Sequence, residues 1–221
     1  MNRPVAILIG AALILAFATM ALVVIPGFQV HNLETTGYLE DYTQQELRGR
    51  QVYINQGCIY CHSQQPRSFG QTPADMTKGW GRASTPADYV YDKPHLLGTM
   101  RTGPDLLNVG ARLPSQAWHL THLFQPRAIF EWSLMPAYPF LFELKQQPAA
   151  DDLVVKLPSQ FKPAGHQVVA KQSALDLVAY LQSLDRTYPV ADKEHYLRDQ
   201  GFDGQLETEQ SQEVKNESGE G

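Results

Sequence analysis

Residues 5–25, VAILIGAALILAFATMALVVI, form an uncharged apolar run of 21 residues. A helix rising 1.5 Å per residue over that length covers the roughly 30 Å hydrocarbon core of a bilayer, so the run divides the chain into an anchor and a separate remainder. Arg3 precedes it, while Glu34, Glu40, Asp41 and Glu46 stand ahead of the first base beyond it, Arg48. That bias holds the N-terminus in the cytoplasm and sends the remainder outward. Ala16-Phe17-Ala18 could also close a cleaved signal peptide. The apolar run continues for seven more residues to Ile25, which favours an uncleaved anchor. Beyond it, residues 26–198 balance sixteen basic against sixteen acidic side chains, and residues 199–221 carry seven acids and one Lys. No basic stripe is present for a phosphate backbone, which excludes nucleic acid as a partner.

The expected organisation is a transmembrane anchor over 1–25, in contact with membrane lipid through 5–25, a juxtamembrane linker over 26–42, one domain over 43–198 and an acidic disordered tail over 199–221. The linker is polar and lacks an apolar period. Thr43-Gln44-Gln45-Glu46 fits a capping box and opens a helix over about 44–56. Residues 63–104 are punctuated by Pro66, Gly70, Pro73, Gly79, Gly81, Pro86, Pro94, Gly98 and Gly103, the signature of a long ordered loop. Pro114 and Pro126 bracket a helix over 115–124. Leu177, Tyr180, Leu181 and Leu184 recur with helical spacing after Ser173, a candidate N-cap, and predict an amphipathic helix over 173–184. Residues 143–170 show no clear pattern. The elements together predict an all-α domain.

Both cysteines of the chain lie in Cys58-Ile59-Tyr60-Cys61-His62, the C-x-x-C-H attachment signature of haem c. Two thiols on one turn can add to the vinyl groups of a porphyrin while the next residue offers imidazole to iron. Covalent use of both sulfurs also leaves no free thiol in an oxidising compartment. A thioredoxin-like dithiol fits less well, because that pair opens a helix beside a βαβ pattern and here a helical pattern precedes it. A zinc-binding extracytoplasmic module could draw on Cys58, Cys61, His119 and His122, since two imidazoles three positions apart share a helical face. That arrangement leaves His62 without a role. For the sixth iron position, Met135 in Ser133-Leu134-Met135-Pro136 sits in a proline-stiffened loop between two helices. Met1 and Met20 belong to the anchor, Met76 and Met100 read as core filler, and His95, His119 and His122 remain rival ligands.

The helix before the motif, the Gly103-Pro104-Asp105-Leu106 segment, Gly110-Ala111-Arg112, a Trp-containing helix, Gln125-Pro126-Arg127, the Met135-Pro136 loop and the closing VAYLQSL helix resemble class I cytochrome c in chain order. More narrowly, YDKPHLLGTMRTGPDLLNVGARLPSQAWHLTHLFQPR and SLMPAYPF, with the anchor and CIYCHSQQPR, resemble the mono-haem subunit II of cbb3-type cytochrome c oxidases. The likeness covers residues 1–142 and the helix near 174–184. It implies a transmembrane helix followed by a class I cytochrome c-like all-α domain with a long Gly/Pro-rich loop insertion. Cys58 and Cys61 would hold one haem c, His62 and Met135 would be the iron ligands, and the Pro104 carbonyl would accept a hydrogen bond from the other ring nitrogen of His62. Gly49 and Tyr53 would cross the helix bearing Leu177 and Tyr180. Leu106, Val109, Leu113 and Tyr138 would limit solvent access, with Trp80, Trp118 or Trp132 on the macrocycle and Arg101 or Arg112 beside a propionate.

The implied role is a single-pass protein of the bacterial inner membrane, its domain in the periplasm, doing no bond chemistry of its own. It would relay single electrons from an upstream electron donor to the catalytic haem–copper oxidase subunit, which reduces oxygen to water, alongside other c-type cytochrome subunits. Service to another exported reductase, such as one acting on nitric oxide, is the alternative within electron transfer.

Overall fold

The computed structural model describes residues 3–31, 33, 37–68 and 73–190. The acidic tail expected over 199–221 lies outside the described residues. Helix α1 (Arg3–Thr19), a π-helical turn (Met20–Val24) and α2 (Ile25–His31) follow one another without a break. Within Arg3–Gln29 the most apolar 18-residue window has a mean hydropathy of 2.8, and none of its residues is buried against the rest of the chain. The stretch is long and apolar enough to cross a membrane. The helix does not end at Ile25 as the sequence suggested. Pro26 has no N–H and its ring crowds the carbonyl one turn back, but the Ile25 N–H here reaches the Met20 carbonyl five residues back, and that wider turn gives the ring room. The expected linker differs at its other end too, because Leu39 and Tyr42 are buried.

Helix α3 (Gln44–Asn55) starts at the capping box: the Glu46 N–H donates to Thr43 Oγ1 at 3.3 Å and the Thr43 N–H to Glu46 Oε2 at 2.7 Å. A short helix, α4 (Pro73–Thr77), and a 3-10 turn (Pro86–Tyr89) interrupt the Gly/Pro-rich stretch. Then come α5 (Val109–Arg112), α6 (Gln116–Phe124), strand β1 (Phe142–Lys145), strand β2 (Gln167–Ala170) and α7 (Gln172–Ser183). Ser115 caps α6 by accepting the Trp118 N–H at 3.3 Å. The strands pair antiparallel, Phe142 opposite Ala170 and Lys145 opposite Gln167. This pair corrects the all-α expectation. Four-residue strands are too short to display a period of two, and their pairing partner lies far along the chain.

Helices α3 and α7 cross at the centre of the domain. A Cβ on Gly49 would lie 1.8 Å from the Asp176 carbonyl oxygen and 2.9 Å from the Tyr180 Cβ, so only glycine admits this approach. Tyr53 and Tyr180, both fully buried, meet edge to face beside it, with ring centroids 5.6 Å apart. At the end of α7 the Leu184 carbonyl accepts the Gly110 N–H at 2.9 Å, tying α5 to the crossing.

Buried polar groups bind the Gly/Pro-rich stretch to both ends of the domain. Arg186 donates from Nε to the Asp88 carbonyl at 3.0 Å and from Nη2 to the Tyr42 hydroxyl at 3.3 Å. The Tyr42 hydroxyl donates in turn to Asp92 at 3.1 Å. The Asp88 carboxylate accepts both arms of Arg82 at 2.7 and 2.8 Å, the Thr85 N–H at 2.7 Å and the Tyr188 hydroxyl at 2.9 Å.

Burial alone would push the Asp88 carboxyl up, but Arg82, Thr85 and Tyr188 outweigh it and hold the group below the usual carboxylate range. A depressed folded value stabilises the fold above the unfolded carboxyl's value of about 3.9, and that contribution is lost as pH falls through the folded value. Asp88→Asn is expected to cost on the order of 3 kcal/mol near neutrality, because it removes the buried charge that Arg82, Thr85 and Tyr188 converge on. In melting curves of the detergent-solubilised chain, the gap between parent and variant should narrow as pH drops below about 4. A gap constant across that range would contradict the assignment.

Candidate functional site

Helix α3 delivers the chain into a 3-10 turn over Cys58–Tyr60, where the Cys61 and His62 N–H groups both donate to the Cys58 carbonyl, at 3.1 and 3.0 Å. The two cysteines therefore stand at the ends of one turn, unpaired, with Cys58 half-buried and Cys61 exposed. Burial pushes the Cys58 thiol up to about 11, its own backbone opposing and Cys61 adding to the rise. A thiol held protonated at neutral pH is poorly suited to dithiol exchange, which needs a thiolate.

His62 is held from two sides. Its Nδ1–H donates to the Pro104 carbonyl at 2.8 Å, which fixes the tautomer and leaves the Nε2 lone pair available. Its ring lies flat over Gly103, where a Cβ would come within 2.2 Å of Cε1 and 2.8 Å of both ring nitrogens. The backbones of the two segments are zipped together: the Gly103 N–H donates to the Cys61 carbonyl at 2.9 Å and the Leu106 N–H to the Ser63 carbonyl at 2.8 Å. Burial holds the imidazole below its ordinary value, with Pro104 and Asp105 opposing and Arg112 adding. The ring is neutral at pH 7, the form a metal requires.

Met135 is half-buried and packs on the hydrophobic core together with Cys58, Ile59, Leu106, Leu113 and Tyr138, all partly exposed, while Val109 is buried within that core. Burial raises the Tyr138 phenol, and Cys58 and Cys61 add to the rise, which places this ring beside the motif. Met76 and Met100, expected in the core, are instead exposed at 39% and 56%. They sit in the Gly/Pro-rich stretch, which has few apolar neighbours to bury them.

Of the rival histidines, His119 has a hydrogen-bonded ring nitrogen, whereas the buried His122 Nδ1 has no hydrogen-bond partner among the described residues. His119 is buried and its Nε2–H donates to the Leu113 carbonyl at 2.8 Å. His122 stacks on Trp118 with centroids 4.8 Å apart, and burial, followed by His62 and His119, pushes it down to about 4. His95 meets the edge of Tyr89 at 6.2 Å. Among the described residues no three His, Cys, Asp or Glu side chains gather as a metal site, so Cys58, Cys61, His119 and His122 do not form the four-ligand zinc centre considered above.

Of the tryptophans, Trp80 is buried beneath the Arg101 guanidinium at 5.1 Å, and Trp132 is 79% exposed. Arg101 is turned into the protein by Asp75 and Asp105. Arg112 contacts the Asp105 carbonyl through Nη2, and its buried Nε has no partner among the described residues. The buried group Ser63, Asp75, Arg101 and Asp105 was missed in the sequence. Its one signal was the charge at Asp105, set between Pro104 and two leucines.

An imidazole with a free Nε2, a thioether, two thiols on one turn, a half-open apolar face and an orphaned guanidinium nitrogen together suit a haem, and the class they describe is a membrane-anchored haem subunit of an electron-transfer complex. The family model for cytochrome c oxidase, mono-heme subunit/FixO, matches residues 1–162, and the chain belongs to that family. It is thus a mono-haem subunit of a cytochrome c oxidase, a component of electron transport. The resemblance to the cbb3-type subunit agrees with this family. No curated protein matches the chain.

Proposed function

We propose that this domain is a class I cytochrome c-type relay, carrying single electrons from an upstream donor to the catalytic haem–copper subunit of a cbb3-type oxidase. Cys58 and Cys61 would hold the haem covalently, and His62 and Met135 would ligate its iron. The anchor lies in the bacterial inner membrane and the domain faces the periplasm. The observation that carries this reading is the His62 ring, clamped between the Pro104 carbonyl at 2.8 Å and the face of Gly103 with Nε2 left free. Bound haem supplies the one-electron couple. Pro104 orients the imidazole and increases its basicity. Leu106, Leu113 and Tyr138 exclude water from one face, and a thioether from Met135 favours the reduced state.

Met135→Ala is expected to leave the haem attached and to shift the oxidised-to-reduced balance at a given potential by ten-fold or more toward the oxidised form. That shift is a fall of about 59 mV or more for one electron, read by spectroelectrochemical titration of the solubilised protein. An unchanged midpoint would assign the sixth position to another residue. The oxidase assignment is checked separately, by whether a polytopic haem–copper subunit co-purifies in mild detergent.

A further inference from the structure

A buried charge cluster lies under the segment that follows His62. Asp75 and Asp105 are 1% and 0% exposed, and the ion pairs of both, among the described residues, are with Arg101. Arg101 contacts Asp75 through Nη1, while its Nη2 lies 3.7 Å from Asp105 and donates to the Gln65 carbonyl at 2.7 Å. Its Nε donates to the Ser63 hydroxyl at 3.0 Å. The Asp105 carboxylate accepts the Ser63 hydroxyl and the Gln65 N–H, each at 2.7 Å, and the Leu107 N–H at 2.9 Å.

Two consequences follow. Asp105 stitches Ser63 and Gln65, directly after the candidate ligand His62, to the segment whose Pro104 carbonyl orients that ligand. The Asp105 carboxylate also faces two guanidiniums, Arg101 at 3.7 Å and Arg112, which contacts its backbone carbonyl, and charges buried here are poorly screened by solvent. Asp105 and Arg112 act on the His62 ring with opposite signs, so the ring lies within reach of this field.

We propose that Asp105 is a positioning and charge-setting residue of the haem site, holding the His62 segment in register with Pro104 and favouring the oxidised state through its buried charge. The proposal rests on His62 ligating haem. A negative charge near the couple stabilises its more positive member and so lowers the midpoint.

The test is Asp105→Asn in the full-length holoprotein, which removes the charge and nearly preserves the shape. The expected result is retained haem, a parental visible spectrum, and a reduced-to-oxidised ratio raised about ten-fold at fixed potential, or about 59 mV for one electron. Ser63→Ala keeps the charge and removes one bond to it, so its midpoint should stay at or below the parental value. An unchanged or lowered midpoint in Asp105→Asn overturns the proposal, and so does an equal rise in Ser63→Ala, which would trace the effect to packing. If Asp105→Asn cannot hold haem, Asp75→Asn removes the other carboxylate charge paired with Arg101, one that does not figure among the groups acting on His62. A smaller rise there supports the proposal and none overturns it. Absence of covalent haem from the parental chain would instead strike the haem reading itself.

Discussion

With both cysteines replaced, as Cys58→Ser and Cys61→Ser together, the chain is expected to keep no haem through denaturation. The denatured band should lose its haem stain, and the intact mass should equal that of the polypeptide. The two thiols flank one 3-10 turn, next to an imidazole already oriented by Pro104. Serine offers no sulfur for a thioether, whereas each single variant retains one possible bond. A second effect follows from packing. Leu106, Leu113, Met135 and Tyr138 form a partly exposed flank of the core, and an uncovered apolar flank of this kind weakens a fold and invites aggregation. The double variant should therefore also melt earlier and yield less protein. A double variant that still carried covalent haem would place the attachment elsewhere.

Gly49→Ala should be as damaging without touching the site. The added carbon would fall 1.8 Å from the Asp176 carbonyl oxygen and 2.4 Å from its carbon. These are backbone atoms of α7, which cannot rotate aside as a flexible side chain would. Ordinary overpacking costs about 1–3 kcal/mol. Forcing α3 and α7 apart also loosens the Tyr53–Tyr180 contact, so the loss should exceed about 3 kcal/mol, a large share of the 5–15 kcal/mol typical of a domain. Gln51→Ala, at an exposed position of the same helix, is the control and should lie within about 0.5 kcal/mol of the parent. Thermal melts of the two solubilised variants make the comparison. Similar melting of both would mean that the crossing relaxes at little cost.

Features set by neighbouring residues were legible in the sequence. The Thr43–Glu46 box marked the start of α3, the two prolines bracketed α6, and the leucine and tyrosine spacing outlined α7. The C-x-x-C-H turn stood out because its chemistry is contained in five consecutive residues. Features that depend on distant pairing were not legible. Strands β1 and β2 meet across more than twenty residues of intervening chain, and neither is long enough to show alternation. Asp75, Arg101 and Asp105 look like separate surface charges until the fold buries them together. Pro26 reads as a helix breaker unless the π turn before it is known. Met76 and Met100 were assigned to the core by residue type alone, and type does not reveal how few apolar neighbours a Gly/Pro-rich stretch provides. The clamp on His62 is a mixed case. Pro104 was expected from family likeness, but the face-on packing of the ring over Gly103 emerges only from the fold.

The burial of Leu39 and the Tyr42–Asp92–Arg186 tie limit how far the domain can wander. Helical structure persists to His31 and burial resumes at Leu39, so seven residues of chain separate the two. Fully stretched, seven residues reach about 25 Å. Under the proposed function, a haem tethered so closely stays within that reach of its own anchor. It samples a small volume above its own anchor, which suits a fixed neighbour and a constant hop rather than a shuttle.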